Sequence, residues 1–267
     1  MHRFFIETDS YRLFPGELLL LPDKLAHQVR DVLHLAVGER LVLLDNSGDE
    51  IHCTVKNSSK AGVQVLVVER QAGKSESPVR IILCAGLLKS ARFEWILEKG
   101  TELGVSTFVP ILCRRSMAGL QDAGHAKVQR WQRILAEATE QCGRARRPEL
   151  LPIRPLTQAL SAIPAEAIAL MLWEEEQTQS LHDVLRNVSL QEDQNQQQIY
   201  GANQQAQTVV LFIGPEGGLL KEEVQLAQQY GVHSVTVGTR VLRAETAALV
   251  AVANVMYELE ARLKRTV

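Results

Sequence analysis

The sequence predicts an α/β fold, a mostly parallel sheet with helices on both faces, preceded by a small β-rich module. Beyond residue 80, short apolar runs alternate with segments of helical periodicity, which is typical of parallel strands joined by helices. Before residue 72, the apolar runs are separated by turn residues instead, which is typical of hairpins. The chain has 267 residues, 46% of them hydrophobic, which is enough for two packed cores.

The amino-terminal module is expected to contain four short strands and one helix. Residues 45–49, with the sequence DNSGD, give a strong turn signal between two apolar runs. Residues 23–35 have a helical pattern, and Asp23 is the predicted cap at its start. The predicted strands lie at residues 18–21, 41–44, 51–55 and 63–68.

A polar segment separates this module from the alternating region. Residues 71–78 lack periodicity and contain Gly73 and Pro78, so we predict a module over 1–72, a linker over 73–79 and a second domain over 80–267. In the second domain, strands are predicted at 80–85, 107–112, 168–173, 209–213 and 234–237, and helices at 90–103, 127–142, 178–186, 219–230 and 244–263. Residues 191–207 are rich in glutamine, which indicates a flexible surface insertion.

The charge distribution restricts where a nucleic acid can bind. A net charge of −2 argues against a globally basic nucleic-acid binder, but residues 84–150 contain 11 Lys or Arg against 7 Asp or Glu. Within this block Arg144, Arg146 and Arg147 follow a glycine and have few acidic neighbours in sequence, which favours RNA contact. For Arg130 and Arg133, which precede Glu137, ion pairing on a solvated helix face is an equally good interpretation.

The cysteines and the apolar runs indicate a cytoplasmic protein. The four cysteines are far apart and form no CxxC pair, so we expect free thiols. Cys and His residues form no cluster with metal-ligand spacing, so no metal site is predicted. The first residues lack a secretory signal, and no apolar run approaches the length of a membrane span.

Residues 213–218, with the sequence IGPEGG, connect an apolar run typical of a buried strand to a helical segment. A strand, a glycine turn and a helix form the usual small-molecule site at the carboxyl end of an α/β sheet, because glycines let backbone groups approach a ligand closely. A tight turn without a ligand is an equal alternative. The segment lacks the lysine of a P-loop and the spacing of a dinucleotide fingerprint, which excludes both kinds of site.

A second strand, glycine turn and helix follow at residues 235–247, with the sequence VTVGTRVLRAETA. Glu245 and Thr246 suit a helix start, because the helix dipole attracts negative charge there and a hydroxyl can cap the chain. Arg243 does not suit it, since a cation near a helix N-terminus is electrostatically misplaced unless it meets an anion. The sequence therefore predicts an anionic partner for Arg243.

Together, IGPEGG and VGTRVLRAETA resemble the carboxyl-terminal signature of the SPOUT methyltransferases, and more closely that of the RsmE-type 16S ribosomal RNA uracil-N3 methyltransferases. KGTELGV at 99–105, EATEQCGR at 137–144 and HQVRDVL at 27–33 agree, so the resemblance covers nearly the whole chain in order. The glutamine-rich residues 191–207 depart from it. The resemblance implies a trefoil-knotted methyltransferase domain, an amino-terminal PUA-like RNA-binding β-barrel and a homodimer.

The resemblance further implies S-adenosylmethionine as the cofactor, held by three loops. The implied cofactor-binding residues are Leu172, Trp173, Glu174, Ile213, Gly214, Pro215, Glu216, Gly217, Gly218, Val237, Gly238, Thr239, Leu242 and Thr246. Arg243 is the expected catalytic residue, as the partner of a uracil anion. The expected RNA contacts are His27, Arg30, Lys89, Arg92, Arg144, Arg146 and Arg147. For His27 and Arg30 surface solvation is an equal alternative, and for Glu216 the alternative is attraction to the N-terminus of the helix that follows it.

The expected substrate is 16S ribosomal RNA within the assembled small subunit, with neither a metal nor a membrane involved. Because N3 of uracil lies on the pairing edge, the target base must be unpaired. The proton acceptor stays open, since Glu245 can serve as a cap alone and water can take the proton. A SPOUT ribose 2′-O methyltransferase and a noncatalytic RNA-binding relative are the alternative functions.

Overall fold

The structure, a computed structural model, describes residues 1–6, 12–117, 124–187 and 207–263. The chain divides into two compact units, the first formed by Met1–Glu76 with Ala136–Arg147 and the second by Ser77–Leu135 with Pro148–Val267. The predicted glutamine-rich insertion at 191–207 lies outside the described residues, apart from Gln207. Within the described ranges no helix is long and apolar enough to cross a membrane.

The first unit contains a five-stranded sheet in the order β1-β3-β4-β5-β2. Its strands are β1 (His2–Phe5), β2 (Leu18–Leu20), β3 (Arg40–Leu44), β4 (Asp49–Ser59) and β5 (Gly62–Ala72). The pair β1–β3 is parallel and the other pairs are antiparallel. Strand β1 was not predicted, because four residues next to charged neighbours give no clear alternation.

Helix α1 (Asp23–His27) of this unit continues as a π-helical turn, Gln28–Val32. The prediction that Asp23 caps the helix is wrong: Pro22 occupies the N-cap position and no side chain bonds to the first turn. Asp23 is instead the first helical residue, where its charge favours the helix dipole. Leu25, Ala26 and Val29 are buried in the core of the unit.

The second unit contains a parallel sheet in the order β12-β10-β11-β6-β7-β8, with β9 also paired to β7. Its strands are β6 (Val79–Gly86), β7 (Val105–Leu112), β8 (Glu149–Leu150), β9 (Arg154–Pro155), β10 (Ile168–Leu172), β11 (Gln207–Ile213) and β12 (His233–Val235). Every pair in this sheet is parallel. The predicted mostly parallel sheet is therefore confirmed.

Helices cover both faces of this sheet, as predicted. They are α2 (Ser90–Glu102), α3 (His125–Cys142), α4 (Leu156–Ser161), α5 (Leu181–Asn187), α6 (Lys221–Gln229) and α7 (Ala244–Leu263), and the division between the units falls within α3. Residues of α2, α5 and α7 pack with alternate residues of β6 and β11 in one core. Residues of α4 and α6 pack with the intervening strand residues in a second core. Strands buried on both faces explain why their sequences are continuous apolar runs.

The register of the sheet brings three strand ends together. Leu172 at the end of β10 lies opposite Ile213 at the end of β11 on one side and Val235 at the end of β12 on the other. The three strands run in the same direction, so the loops that follow them leave the same edge of the sheet. This edge is where a parallel α/β sheet usually binds its ligand.

Candidate functional site

The three loops at this edge surround a cavity of about 290 Å³. Except for Thr246, every residue predicted to bind the cofactor lines it, and so does Arg243. The cavity also includes Arg92, which the sequence assigned to RNA contact, and six residues that were not named as cofactor contacts: Val235, Thr236, Arg240, Val241, Ala244 and Ala247. Arg240 and Val241 lie within residues 235–247, the second glycine motif, so that motif could have indicated them as part of the cavity.

The loop after β10 is held to β12 by the carboxylate of Glu176. This group accepts hydrogen bonds from Ser234 Oγ (2.6 Å), Thr178 Oγ1 (2.6 Å) and the backbone N–H groups of Thr178 and Gln179. The bonds from Ser234 and Thr178 lower the pKa of Glu176 to about 2. The loop that carries Trp173 and Glu174 is therefore fixed at both ends, by its strand and by this anchor.

Two glycines of the cavity have backbones that an L-residue rarely adopts. Gly218 has φ of +72°, and a Cβ built there would overlap Oε1 of Glu174. Gly238 has φ of +136°, and a Cβ there would meet nothing within 4 Å. The first glycine makes room for a carboxylate of the neighbouring loop, and the second leaves the backbone open toward the cavity.

Glu216 and Arg92 form a charged wall of the cavity. Glu216 Oε1 accepts a hydrogen bond from the backbone N–H of Lys89 (3.2 Å) and lies 3.6 Å from Arg92 Nη1. Arg92 Nε lies 3.6 Å from Glu245 Oε1. The carboxylate of Glu216 contacts the N-cap residue of α2 and not the helix that follows it, so attraction to a helix N-terminus stays an alternative to cofactor binding.

Two buried polar atoms near the cavity have no hydrogen-bond partner among the described residues. One is Nε1 of Trp173, a residue of the cavity lining whose side chain packs against the core that contains α4 and α6, and the other is Oε2 of Glu245. A buried donor without a partner costs free energy, so such groups mark places where a ligand or water completes the structure. Nε1 of Trp173 is therefore an unpaired donor on a residue of the cavity lining.

Arg243 precedes α7 and lies exposed at the wall of the cavity. Its carbonyl accepts the N–H of Ala247 in the first turn of the helix (2.8 Å). Within the described part of the chain its guanidinium has no ion pair. Arg243 is thus a cation at a helix N-terminus, and the anionic partner expected for it stays a prediction.

Two of the predicted RNA contacts, His27 and Arg30, share one acidic neighbour in the first unit. Asp31 lies 2.6 Å from His27 Nδ1 and accepts hydrogen bonds from Arg30. These bonds, the one from Arg30 foremost, hold the pKa of Asp31 well below its usual range. Arg30 also donates to the carbonyl of Ser59 (2.7 Å). Both side chains are thus ordered at the surface by protein contacts, and their role in RNA binding stays a prediction.

The arginine cluster at 144–147 is less available for RNA contact than its sequence suggested. Arg144 is only 5% exposed and pairs with Glu76 (Nη2 to Oε2, 2.9 Å). Glu76 also accepts the backbone N–H groups of Ala145 (3.1 Å) and Arg146 (3.0 Å). Because Arg144 is buried and paired, its interpretation as an RNA contact is corrected to a structural role. The sequence did not show this, since the acidic partner lies 68 residues away.

The other two arginines of the cluster differ from Arg144. The guanidinium of Arg146 donates to the carbonyl of Ser47 (2.8 Å from Nη2), whereas Arg147 is bound through its backbone N–H to Asn46 (2.7 Å). Both are exposed. Of the three, Arg147 has the side chain that the described protein contacts leave most available to RNA.

The cysteines are free, as predicted. Burial raises the pKa of the Cys53, Cys84 and Cys113 thiols to about 12, so these groups stay protonated and unreactive at neutral pH. In the described ranges no group of three or more His, Cys, Asp or Glu side chains has the geometry to hold a metal ion.

The chain is similar to known proteins both in sequence and in fold. Residues 75–256 match the family described as an RNA methyltransferase domain. The ribosomal RNA small subunit methyltransferase E of Bacillus subtilis is 29% identical over 262 residues, covering 97% of this chain and 98% of that protein. The protein of the same name from Synechocystis sp. is 31% identical over 235 residues, covering 88% and 71%. The crystal structure of ribosomal RNA small subunit methyltransferase E from Neisseria gonorrhoeae, bound to S-adenosyl methionine, matches with a TM-score of 0.81 and 28% identity over 96% of this chain and 97% of that one.

Proposed function

This chain belongs to the RNA methyltransferase family whose pattern its residues 75–256 match, and we propose that it transfers a methyl group from S-adenosylmethionine to N3 of a uridine in 16S ribosomal RNA. The observation that carries the proposal is the cavity at the three in-register strand ends, lined by the two glycine motifs. The names of the relatives support ribosomal RNA of the small subunit as the substrate.

The residues of the cavity fit S-adenosylmethionine. The buried Nε1 of Trp173 offers a hydrogen bond to a ligand acceptor, and the open backbone at Gly238 allows close approach of a flat ring. Glu174 and Glu216 bring carboxylates to the cavity wall, where they suit the positive charge of a sulfonium or the hydroxyls of a ribose. When bound, the cofactor supplies an electrophilic methyl group. The residues assigned to it are those named from the sequence, of which Thr246 alone lies off the cavity lining.

Methylation at N3 requires a negative charge on the base, because the neutral imide nitrogen has no available lone pair. Arg243 is positioned to stabilise that charge, since its guanidinium has no ion pair in the described part of the chain and lines the cavity. Glu245 does not line the cavity, and its Oε1 faces Arg92, so we do not assign the N3 proton to it. We assign the proton to water.

We also propose a homodimer, a trefoil knot in the second unit and a PUA-like first unit. An apolar surface on α7 supports the dimer: Tyr257 is 80% exposed, and Leu249 and Val250 are half-buried. The return of the chain after β11 to place β12 on the far side of β10 supports the knot. We place the protein in the cytoplasm and its action on assembled small subunits.

The test is methyl transfer to small subunits from a strain that lacks this modification. The purified chain with labelled S-adenosylmethionine should methylate one uridine of the 16S RNA, and mass mapping of fragments should place the methyl on the base. A methyl group on ribose would support the 2′-O alternative instead. Cofactor binding without transfer to any RNA would support a noncatalytic relative.

A further inference from the structure

The loop that follows β7, residues 113–117, contacts the first glycine loop through a side chain and a backbone group. Arg115 Nη1 donates a hydrogen bond to the carbonyl of Gly217 (3.0 Å). The backbone N–H of Arg114 donates to Oε1 of the buried Glu223 (2.8 Å), whose Oε2 accepts the N–H of Leu220 (2.9 Å). The loop after β7 therefore holds the first glycine loop before Gly218, by the bond from Arg115 to Gly217. It also holds the chain after Gly218, through Glu223, which bonds to Leu220.

Steric packing reinforces the contact at Gly217. A Cβ built on Gly217 would lie 2.9 Å from Cβ of Arg115 and 3.1 Å from its carbonyl oxygen. Neither of these is the far end of a flexible side chain, so an added methyl group would push the two loops apart. Glycine at 217 is therefore needed for close contact with Arg115. A side chain at this position would point toward Arg115.

The hydrogen bond to Gly217 also fixes its neighbour. The carbonyl of Gly217 and the N–H of Gly218 belong to one planar peptide group, so a donor that holds one orients the other. The Gly218 N–H donates to the carbonyl of Pro215 (2.9 Å), and the Cα of Gly218 packs against the carboxylate of Glu174. A chain of contacts therefore leads from Arg115 to a carboxylate at the cavity wall, although Arg115 does not line the cavity itself.

We propose that Arg115 is a positioning residue for the methyl donor: it holds the Gly217–Gly218 peptide in the orientation that the cofactor requires. The inference rests on the proposed function, because it assumes that S-adenosylmethionine binds in this cavity. A guanidinium is suited to the task, since it stays charged at all accessible pH values and its bond to a carbonyl is stronger than a neutral one.

Calorimetric titration of the full chain with S-adenosylmethionine tests the inference. Arg115→Ala should weaken binding by roughly tenfold, the low end for loss of a charged hydrogen bond, because the site is exposed. In turnover assays KM for the cofactor should rise by a similar factor, while kcat at saturation changes by less than about twofold. Arg115→Lys should recover part of the affinity.

Two further variants separate positioning from other roles. Arg114→Ala is the matched control, because among the described residues this neighbouring arginine bonds to Glu223 through its backbone N–H. The variant should bind the cofactor normally. Gly217→Ala should reproduce the Arg115→Ala defect without removing a charge.

Three outcomes would overturn the inference: normal cofactor affinity in Arg115→Ala, an equal loss in Arg114→Ala, or a loss confined to RNA affinity. If the unaltered chain binds no S-adenosylmethionine, the proposed function itself fails, and this inference fails with it. If Arg115→Ala does not fold, Arg115→Lys and Gly217→Ala still decide the question.

Discussion

Replacing Gly218 with alanine tests whether the geometry of the glycine loop controls cofactor binding through Glu174. The substitution has two separable effects. The left-handed backbone at φ of +72° costs an L-residue about 1 to 2 kcal/mol. In addition, the new methyl group would occupy the position of Oε1 of Glu174 and displace that carboxylate from the cavity wall.

The control for the first effect is Gly231→Ala. Gly231 follows α6 with φ of +77°, and a Cβ there would meet nothing within 4 Å. The two variants should therefore lose similar stability, about 1 to 2 kcal/mol each in urea unfolding. Only Gly218→Ala should lose cofactor affinity, by roughly tenfold to a hundredfold, as expected when a charged group loses a hydrogen-bonded partner.

A double-mutant cycle identifies the route of the effect. If Gly218→Ala acts by displacing Glu174, it should cause little further loss of S-adenosylmethionine affinity in a Glu174→Ala background. Calorimetry on the four proteins supplies the coupling energy. Full additivity of the two losses, or an equal affinity loss in Gly231→Ala, would refute the reasoning.

The remaining predictions concern one structural pair, one catalytic residue and one titrating anchor. Glu76→Ala should lower the free energy of unfolding by about 2 to 3 kcal/mol. This is below the usual cost of breaking a buried ion pair, because the side chain of Glu76 is 25% exposed. A loss under about 0.5 kcal/mol in urea unfolding would contradict the structural role of Arg144. Arg243→Ala should slow single-turnover methyl transfer roughly a hundredfold with normal cofactor affinity, whereas a loss of RNA affinity with an unchanged rate at saturating RNA would indicate a phosphate clamp. Glu176 has its pKa lowered to about 2, from an ordinary 4.5, so its contribution to stability is complete above pH 4.5 and is lost as the pH falls toward 2. The stability difference between the natural chain and Glu176→Gln should therefore shrink over this interval, and a constant difference would contradict it.

The elements that the sequence predicted are those with local, repeated signals. Strands β6, β7, β10 and β11 are continuous apolar runs because both of their faces are covered, and each was predicted within two residues of its observed bounds. The two-residue strands β8 and β9 were missed, since a pair of residues has no period. Helix α4 was missed for a related reason: six residues after a proline give too short a helical pattern.

The residues around the cavity were predictable for the same reason as the long strands, because a glycine turn between a strand and a helix is also a local signal in the sequence. Ion pairing was not, since partners come from distant parts of the chain. Arg130 was considered as a partner for Glu137, but it pairs with Glu94 on α2 (Nε to Oε1, 2.6 Å). Arg92 was expected at an RNA surface, yet it lines the cavity between two carboxylates.

Two arginines show why counting acidic neighbours in sequence is a poor guide to which cation is available. Arg144 has few such neighbours, but Glu76, far from it in sequence, binds it, and Arg144 is buried. Arg243 has Glu245 two residues away, but residues two apart on a helix point in different directions, so Glu245 reaches Arg92 instead. At the start of α7, Arg243 has no ion pair in the described part of the chain, and the helix dipole disfavours an unpaired cation there. Whether a guanidinium is paired is therefore set by the fold, and the role of Arg243 stays a prediction.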